Sequence, residues 1–402
     1  MALHSTMKYT ALAVALGGGL LGQVALASAQ RPQLTADQAA EATLAAHFAH
    51  TGTADALRAD SWDPRARGIG DVAALKPALV VAADGSGQYT AIQPAIDAAM
   101  QQGAGQRVNI LVKPGVYRGQ VCVKGKTAIT LYALDTDASK VVLIDNKSNG
   151  TPKPEALSLN DCESRSGKDT YGTSGSSTFM AFADGFQAKN LTFANDFNES
   201  SASKGLQAVA LTTTGDRQIY ENVRILGNQD SLQVKSRSAG VLARSYFRDS
   251  YVEGDVDFVF GRGVAAFEQV EFKSLARKGL SEGYVFAPSH PQNYPVGFLV
   301  LNSRFTAADQ LKAHSTALGR AWDDSSGTYT TSDGQAHLPN GKLVVRDSVI
   351  GAHIDNQQPW AAAATTKRPF SASVSHTVEY AKSEATFPPN RLFEYANNVM
   401  TR

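Results

Sequence analysis

Cysteine is nearly absent from this 402-residue chain: Cys122 and Cys162 are the only two, and they form no CxxC pair. That excludes four-cysteine metal sites and a dense disulfide scaffold, and leaves either one bridge after export or two buried thiols. The eight histidines, His290, His314, His337 and His353 among them, show no His-x-x-x-His spacing, so a helix-borne zinc site is unsupported. No Gly-x-Ser-x-Gly occurs, which removes the nucleophile-elbow serine esterases; Ser174 and Ser176 lie near glycines without that spacing. Charge of one sign is also lacking. Lys and Arg total 38 against 37 Asp and Glu, a net of +1, which argues against general nucleic-acid binding. Long apolar runs are confined to Ala11–Leu26, which Gly17-Gly18-Gly19 interrupts near the lower length for a membrane span. Lys8 before that run and Ala27-Ser28-Ala29 after it fit a secretory signal cut after Ala29, with no membrane anchor. The mature protein is then neutral and either periplasmic or extracellular.

What remains is rich in core-forming residues, 43% of the chain. Residues 30–78 read as a helix and lead-in: Thr35-Ala36-Asp37-Gln38 is a capping box opening a helix to about Phe48, followed by an extended stretch with Pro64 and Pro77. Gly68-Ile69-Gly70-Asp71-Val72-Ala73 matches a dinucleotide fingerprint only formally, since no strand precedes it. From Leu79 the texture changes to short strands, Leu79–Val81, Val108–Val112 and Ile129–Tyr132, with a helix at Ile92–Met100 suited to covering an open solenoid end. Beyond residue 175 one pattern returns: a polar residue, then apolar-polar-apolar. Asn190-Leu191-Thr192-Phe193, Asn222-Val223-Arg224-Ile225 and Gln269-Val270-Glu271-Phe272 show it, with looser versions at Asp249, Asn302 and Asp347. Returns at solenoid-like intervals predict an all-β fold, a right-handed parallel β-helix over 79–402 with short N-terminal helices. The tail from Ala361 loses the pattern and reads as an external C-terminal segment.

Two carboxylates stand out. Asp230, in Gly227-Asn228-Gln229-Asp230-Ser231-Leu232, precedes Asp257, in Gly254-Asp255-Val256-Asp257-Phe258-Val259-Phe260-Gly261, by about one coil. Stacked coils lie ~4.8 Å apart, so both can emerge on one outer face. A strand reading of the second stretch sends Asp257 to the face opposite Phe258 and Phe260. Leu318-Gly319-Arg320-Ala321-Trp322 puts a guanidinium and an indole on one strand face, the first suited to a bidentate hold on Asp257 and the second to a sugar ring. Gln207 and Gln229, about one coil apart, offer amide donors for an oxyanion. The same residues also fit blander roles: turn aspartates, amide ladders and a surface Arg–Trp stack.

These stretches, with Gln207-Ala208-Val209-Ala210-Leu211, Tyr171-Gly172-Thr173-Ser174-Gly175-Ser176-Ser177-Thr178, Gly283-Tyr284-Val285-Phe286-Ala287-Pro288 and Arg391-Leu392-Phe393-Glu394-Tyr395, closely resemble the pectin methylesterases over about residues 79–400. The resemblance implies a parallel β-helix that releases methanol from methyl-esterified pectin without metal or organic cofactor, as a monomer. It implies Asp257 as nucleophile, Asp230 as acid and base, Gln207 and Gln229 at the oxyanion, and Arg320 on Asp257. Trp322, Thr173, Phe260 and Arg277 are implied to contact the substrate. The chain departs from the family at Asn228 and Gln233, where aromatics are usual, at Asp255 for Thr and at Ala321 for Pro. Asp255 shares the parity of Asp257 and so adds a like charge to the site. Such departures keep alternatives open on this scaffold: an acyl thioester or small-ester hydrolase, a non-catalytic carbohydrate-binding β-helix, or a calcium-dependent lyase.

Overall fold

The computed structural model describes residues 30–401 apart from 104, 155–161, 163–168, 278 and 281; the proposed signal, 1–29, lies outside the described residues. Three long parallel sheets dominate, of ten, nine and eight strands. Each coil contributes one short strand to each sheet, as expected of a parallel β-helix. The ten-stranded sheet runs from Leu79–Val81 to Arg391–Tyr395, the nine-stranded from Gly115–Arg118 to Asn398–Val399, and the eight-stranded from Val121–Val123 to Trp360–Ala361.

The recurring polar residue has a physical cause. Asn190, Asn222, Asp249, Gln269, Asn302 and Asp347 all have positive φ, between 48° and 62°. Each is the single left-handed residue that turns the chain from the ten-stranded sheet into the nine-stranded one. Asn and Asp tolerate that conformation better than most side chains. Their amides also stack, Asn222 Nδ2 donating to Asn190 Oδ1 at 2.8 Å. Two residues ahead of three of these turns an aromatic points inward, and Tyr220, Phe247 and Phe267 stack on successive coils at 4.7 and 5.0 Å between ring centres. This column and its neighbours are fully buried, and the aromatic overlap fixes the coil register.

The N-terminal end of the coil is covered, and a lead-in segment runs along its side. The helix Ile92–Met100 forms where predicted and closes the first coils with Ile92, Ala95, Ile96 and Ala99. The expected helix from the Thr35 capping box breaks in two, Ala36–Glu41 and Leu44–His47, with Thr43 capping the second. The break lets the segment follow the outer face of the ten-stranded sheet. From Arg31, paired with Glu394 at 2.8 Å, it runs back past Arg346, Arg244 and Gln187 to Asn109, crossing the coils in reverse order. No helix among the described residues is long and apolar enough to cross a membrane.

The tail departs from expectation. A hairpin, His376–Tyr380 with Ser383–Phe387, does leave the coil, but Arg391–Tyr395 pairs in parallel with Lys342–Arg346 and buries Leu392 completely. It is a full coil strand rather than an external segment. Cys122 and Cys162 are joined, with Cα atoms 5.7 Å apart, which settles the choice between bridge and free thiols.

Because Leu392 belongs to the core, Leu392→Ala is expected to cost about 2–5 kcal/mol. Chemical denaturation checks this: an unchanged midpoint contradicts the tail's place in the coil.

Candidate active site

The eight-stranded sheet carries the site. Its strands Leu232–Val234 and Val259–Gly261 pair in register, Leu232 against Val259, so the chain from Asp230 to Asp257 makes one complete coil. Each aspartate occupies the turn that feeds its strand, just ahead of the first strand residue. Asp230 N donates to Val256 O at 3.0 Å, stacking one turn on the next. Gly227 and Gly254 open these turns because a Cβ there would strike Ser231 Oγ at 2.7 Å and Phe258 Cβ at 2.3 Å.

Gly254–Gly261 is not the single strand expected from its alternation. Strands cover Tyr251–Gly254 and Val259–Gly261, and Asp257 lies between them with φ 50°; Asp230 has φ 68°. A left-handed residue breaks side-chain alternation, so turn geometry rather than strand parity presents both carboxyls to the outer face. Phe258 goes into the core, whereas Phe260, expected opposite Asp257, lines the same cleft as Asp257.

Arg320 ends the strand Thr316–Arg320 and grips Asp257 with two hydrogen bonds, Nε to Oδ1 at 2.9 Å and Nη2 to Oδ2 at 2.8 Å. Both side chains are 13% exposed. Its guanidinium lies 3.6 Å from the ring centre of Tyr284, which sits one further coil beyond Asp257. Stacking and the fork together hold the arginine in one pose. Among the described residues Asp230 has no such cationic partner, and it is only 7% exposed. Burial first, then the charge of Asp257, pushes its pKa well above the usual carboxylate range, and Arg320 only partly opposes this. Two carboxyls on one face are thus split into a charge-paired group and a proton-holding one.

A cleft of about 250 Å³ joins them, lined by Asp230, Asp257, Gln207, Gln229, Arg320, Trp322, Thr173 and Phe260. Eight of the nine residues singled out from sequence therefore meet. Trp322 stands edge-on to Phe260, ring centres 5.7 Å apart, as an apolar wall. Thr173 belongs to the short helix Gly172–Gly175, and its Oγ1 accepts from Asn149 Nδ2 at 2.8 Å. Gln207 Oε1 is buried without a hydrogen-bond partner among the described residues.

Arg277 is the exception. It is absent from the lining because Glu199 holds it at 2.7 Å and Asp255 at 3.4 Å, behind Gln229. Asp255 correspondingly pairs with Arg277, and its charge adds to the upward push on Asp230. Sequence reasoning missed Ala287, Ala364 and Thr365 in the lining and Tyr284 beneath Arg320. Tyr284 had a usable signal, since it repeats the interval that separates Asp230 from Asp257.

Residues 78–335 match the family model described as Pectinesterase. A pectinesterase of Ralstonia solanacearum is 41% identical over 98% of both chains. The putative acyl-CoA thioester hydrolase YbhC of Escherichia coli is 31% identical, covering 93% of this chain and 89% of that one. Its crystal structure superposes with a TM-score of 0.76 at 30% identity, over 93% of this chain and 96% of that one. Rice weevil pectin methyl esterase gives 0.73 at 28% identity, over 93% and 98%.

The Asp230 environment predicts a stability effect. Unfolded, the carboxyl returns to about 3.9, so the folded state binds the extra proton and is penalised as pH rises above that value. Asp230→Asn is expected to melt higher than the parent at neutral pH, with the gap closing as pH falls to about 4. Melting curves across pH test it; a constant gap contradicts the raised pKa.

Proposed function

The chain belongs to the pectinesterase family and is a carboxylic ester hydrolase, and from that premise we propose that it removes C6 methyl esters from polygalacturonate after export. The observation carrying this reading is the unequal pair of carboxyls on one cleft, Asp257 in the fork of Arg320 and Asp230 buried with its pKa raised.

Asp257 Oδ attacks the ester carbonyl carbon, oriented by Arg320 so that its approach is not lost to rotation. The carbonyl oxygen becomes an oxyanion, met by the amide hydrogens of Gln207 and Gln229. Asp230 donates its proton to the methoxy oxygen, the C–O bond breaks, and methanol leaves. An anhydride between Asp257 and the sugar carboxyl remains. Asp230, now a carboxylate, takes a proton from water as that water attacks the anhydride, which frees the acid and restores both aspartates. Trp322 and Phe260 give the sugar face an apolar surface beside the reacting carbon. Export accords with the Cys122–Cys162 bridge, since such bonds persist in oxidising compartments.

A second reading has its own support in the likeness to E. coli YbhC: an acyl thioester reaching the same nucleophile. Methanol release from esterified pectin, beside thiol release from an acyl-CoA, distinguishes the two. Asp257→Ala is expected to abolish methanol release with the fold intact, and Asp230→Asn to slow it about 10²–10⁴-fold. Full activity of Asp257→Ala ends the nucleophile assignment, and thiol release without methanol release favours the thioesterase.

A further inference from the structure

Behind the cleft, Arg277 reaches Gln229 and is itself held by two carboxylates. Arg277 Nη1 donates to Glu199 Oε1 at 2.7 Å and to Gln229 Oε1 at 3.3 Å, while its Nε lies 3.4 Å from Asp255 Oδ2. Asp255 is 1% exposed. The group is built from distant parts of the chain: Glu199 opens a one-turn 3₁₀ helix, Asp255 follows the strand Tyr251–Gly254, and Arg277 follows Glu271–Ser274.

A primary amide has one accepting end and one donating end, whereas a guanidinium can only donate. Arg277 therefore fixes which end of Gln229 faces it. The oxygen is taken, and the Nε2 hydrogens are left for an acceptor in the cleft. An amide free to turn over can present its oxygen instead, and an oxygen facing a developing oxyanion repels it.

We propose that Arg277, anchored by Glu199 and Asp255, is the positioning residue of the oxyanion site, holding the Gln229 amide so that only its nitrogen faces the reacting carbonyl. This rests on the reading of Gln229 as an oxyanion donor. The anchor is close to neutral when it carries one proton. Two carboxyls oppose one guanidinium, and burial together with the charge of Glu199 pushes Asp255 up to about 7. A rigid and nearly uncharged support behind Gln229 orients the amide without cancelling the field it exerts on the oxyanion.

The test is a double-mutant cycle on methanol release, with kcat and KM measured separately. Gln229→Ala is expected to lower kcat about 10²–10³-fold. Arg277→Met is expected to lower kcat about 10–100-fold with KM nearly unchanged, a fraction of the loss of a whole donor. The double variant is expected to be no slower than Gln229→Ala alone, because an arginine acting only through that amide has nothing further to lose. Arg277→Lys keeps the charge between the carboxyls but not the planar fork. It serves as the second variant should the methionine form fail to fold, and its kcat loss must likewise vanish in the Gln229→Ala background. Multiplicative losses, or an effect confined to KM, overturn the proposal by showing that Arg277 acts on the sugar directly. A slow Gln229→Ala beside a fully active Arg277→Met overturns the positioning role alone. A fully active Gln229→Ala overturns the oxyanion reading on which it rests.

Discussion

The cleft depends on one constraint, the register in which Leu232 stacks on Val259 and Val259 on Phe286. The two steps are equal in length, so Asp230, Asp257 and Tyr284 fall in one line. The next coil is longer, closing where Phe286 pairs with Gly319. Arg320 thus arrives from a coil with a different loop yet still lies on the same face, and it reaches back across Tyr284 to Asp257. A one-residue slip in any strand would swap inward and outward side chains. Leu232, Val259, Phe286 and Leu318, all fully buried, make that slip expensive.

Much of the coil is legible in the sequence because its turns are chemically distinctive. A left-handed turn favours glycine or a tolerant polar side chain, so six passages from the ten- to the nine-stranded sheet leave a polar mark before the next strand, whereas the last, at Ala396 with φ 51°, leaves none. Asn190, Asn222, Asp249, Gln269, Asn302 and Asp347 are those marks. Asp257 carries the same mark, yet the run around it alternates by coincidence and imitates a strand. Its companion Asp230, in an equivalent turn, exposes that alternation as misleading. The final coil strand is hidden for a different reason. Glu394 sits fully buried within Arg391–Tyr395, which looks wrong for a core strand until Arg31, 363 residues away, is seen to pair with its Oε2.

The site divides in the same way. Residues that touch the cleft come from turns and strand ends at coil spacing, and spacing is visible in a sequence. The group behind Gln229 is not periodic. Glu199 lies 78 residues from Arg277 and belongs to a loop between coils, so nothing local links the two. Asp255 is visible in the sequence as an unusual charge, and parity assigns it to Asp257. Its carboxyl pairs with Arg277 instead, because the chain bends between Gly254 and Val259 and parity across that bend has no meaning.

The unequal aspartates also bear on how a single group can serve as acid and then as base. Part of what raises the Asp230 pKa is the negative charge of Asp257. In the proposed reaction that charge disappears when Asp257 becomes an anhydride, while Arg320, which favours ionised Asp230, remains beside it. Asp230 thus holds its proton most firmly before attack. It tolerates ionisation best in the intermediate, when it must wait as a carboxylate for water. Hydrolysis returns the charge to Asp257 and with it the tendency of Asp230 to retain the proton it has just taken. The alternation needs no movement of the backbone, only two carboxyls one coil apart with a single arginine committed to one of them.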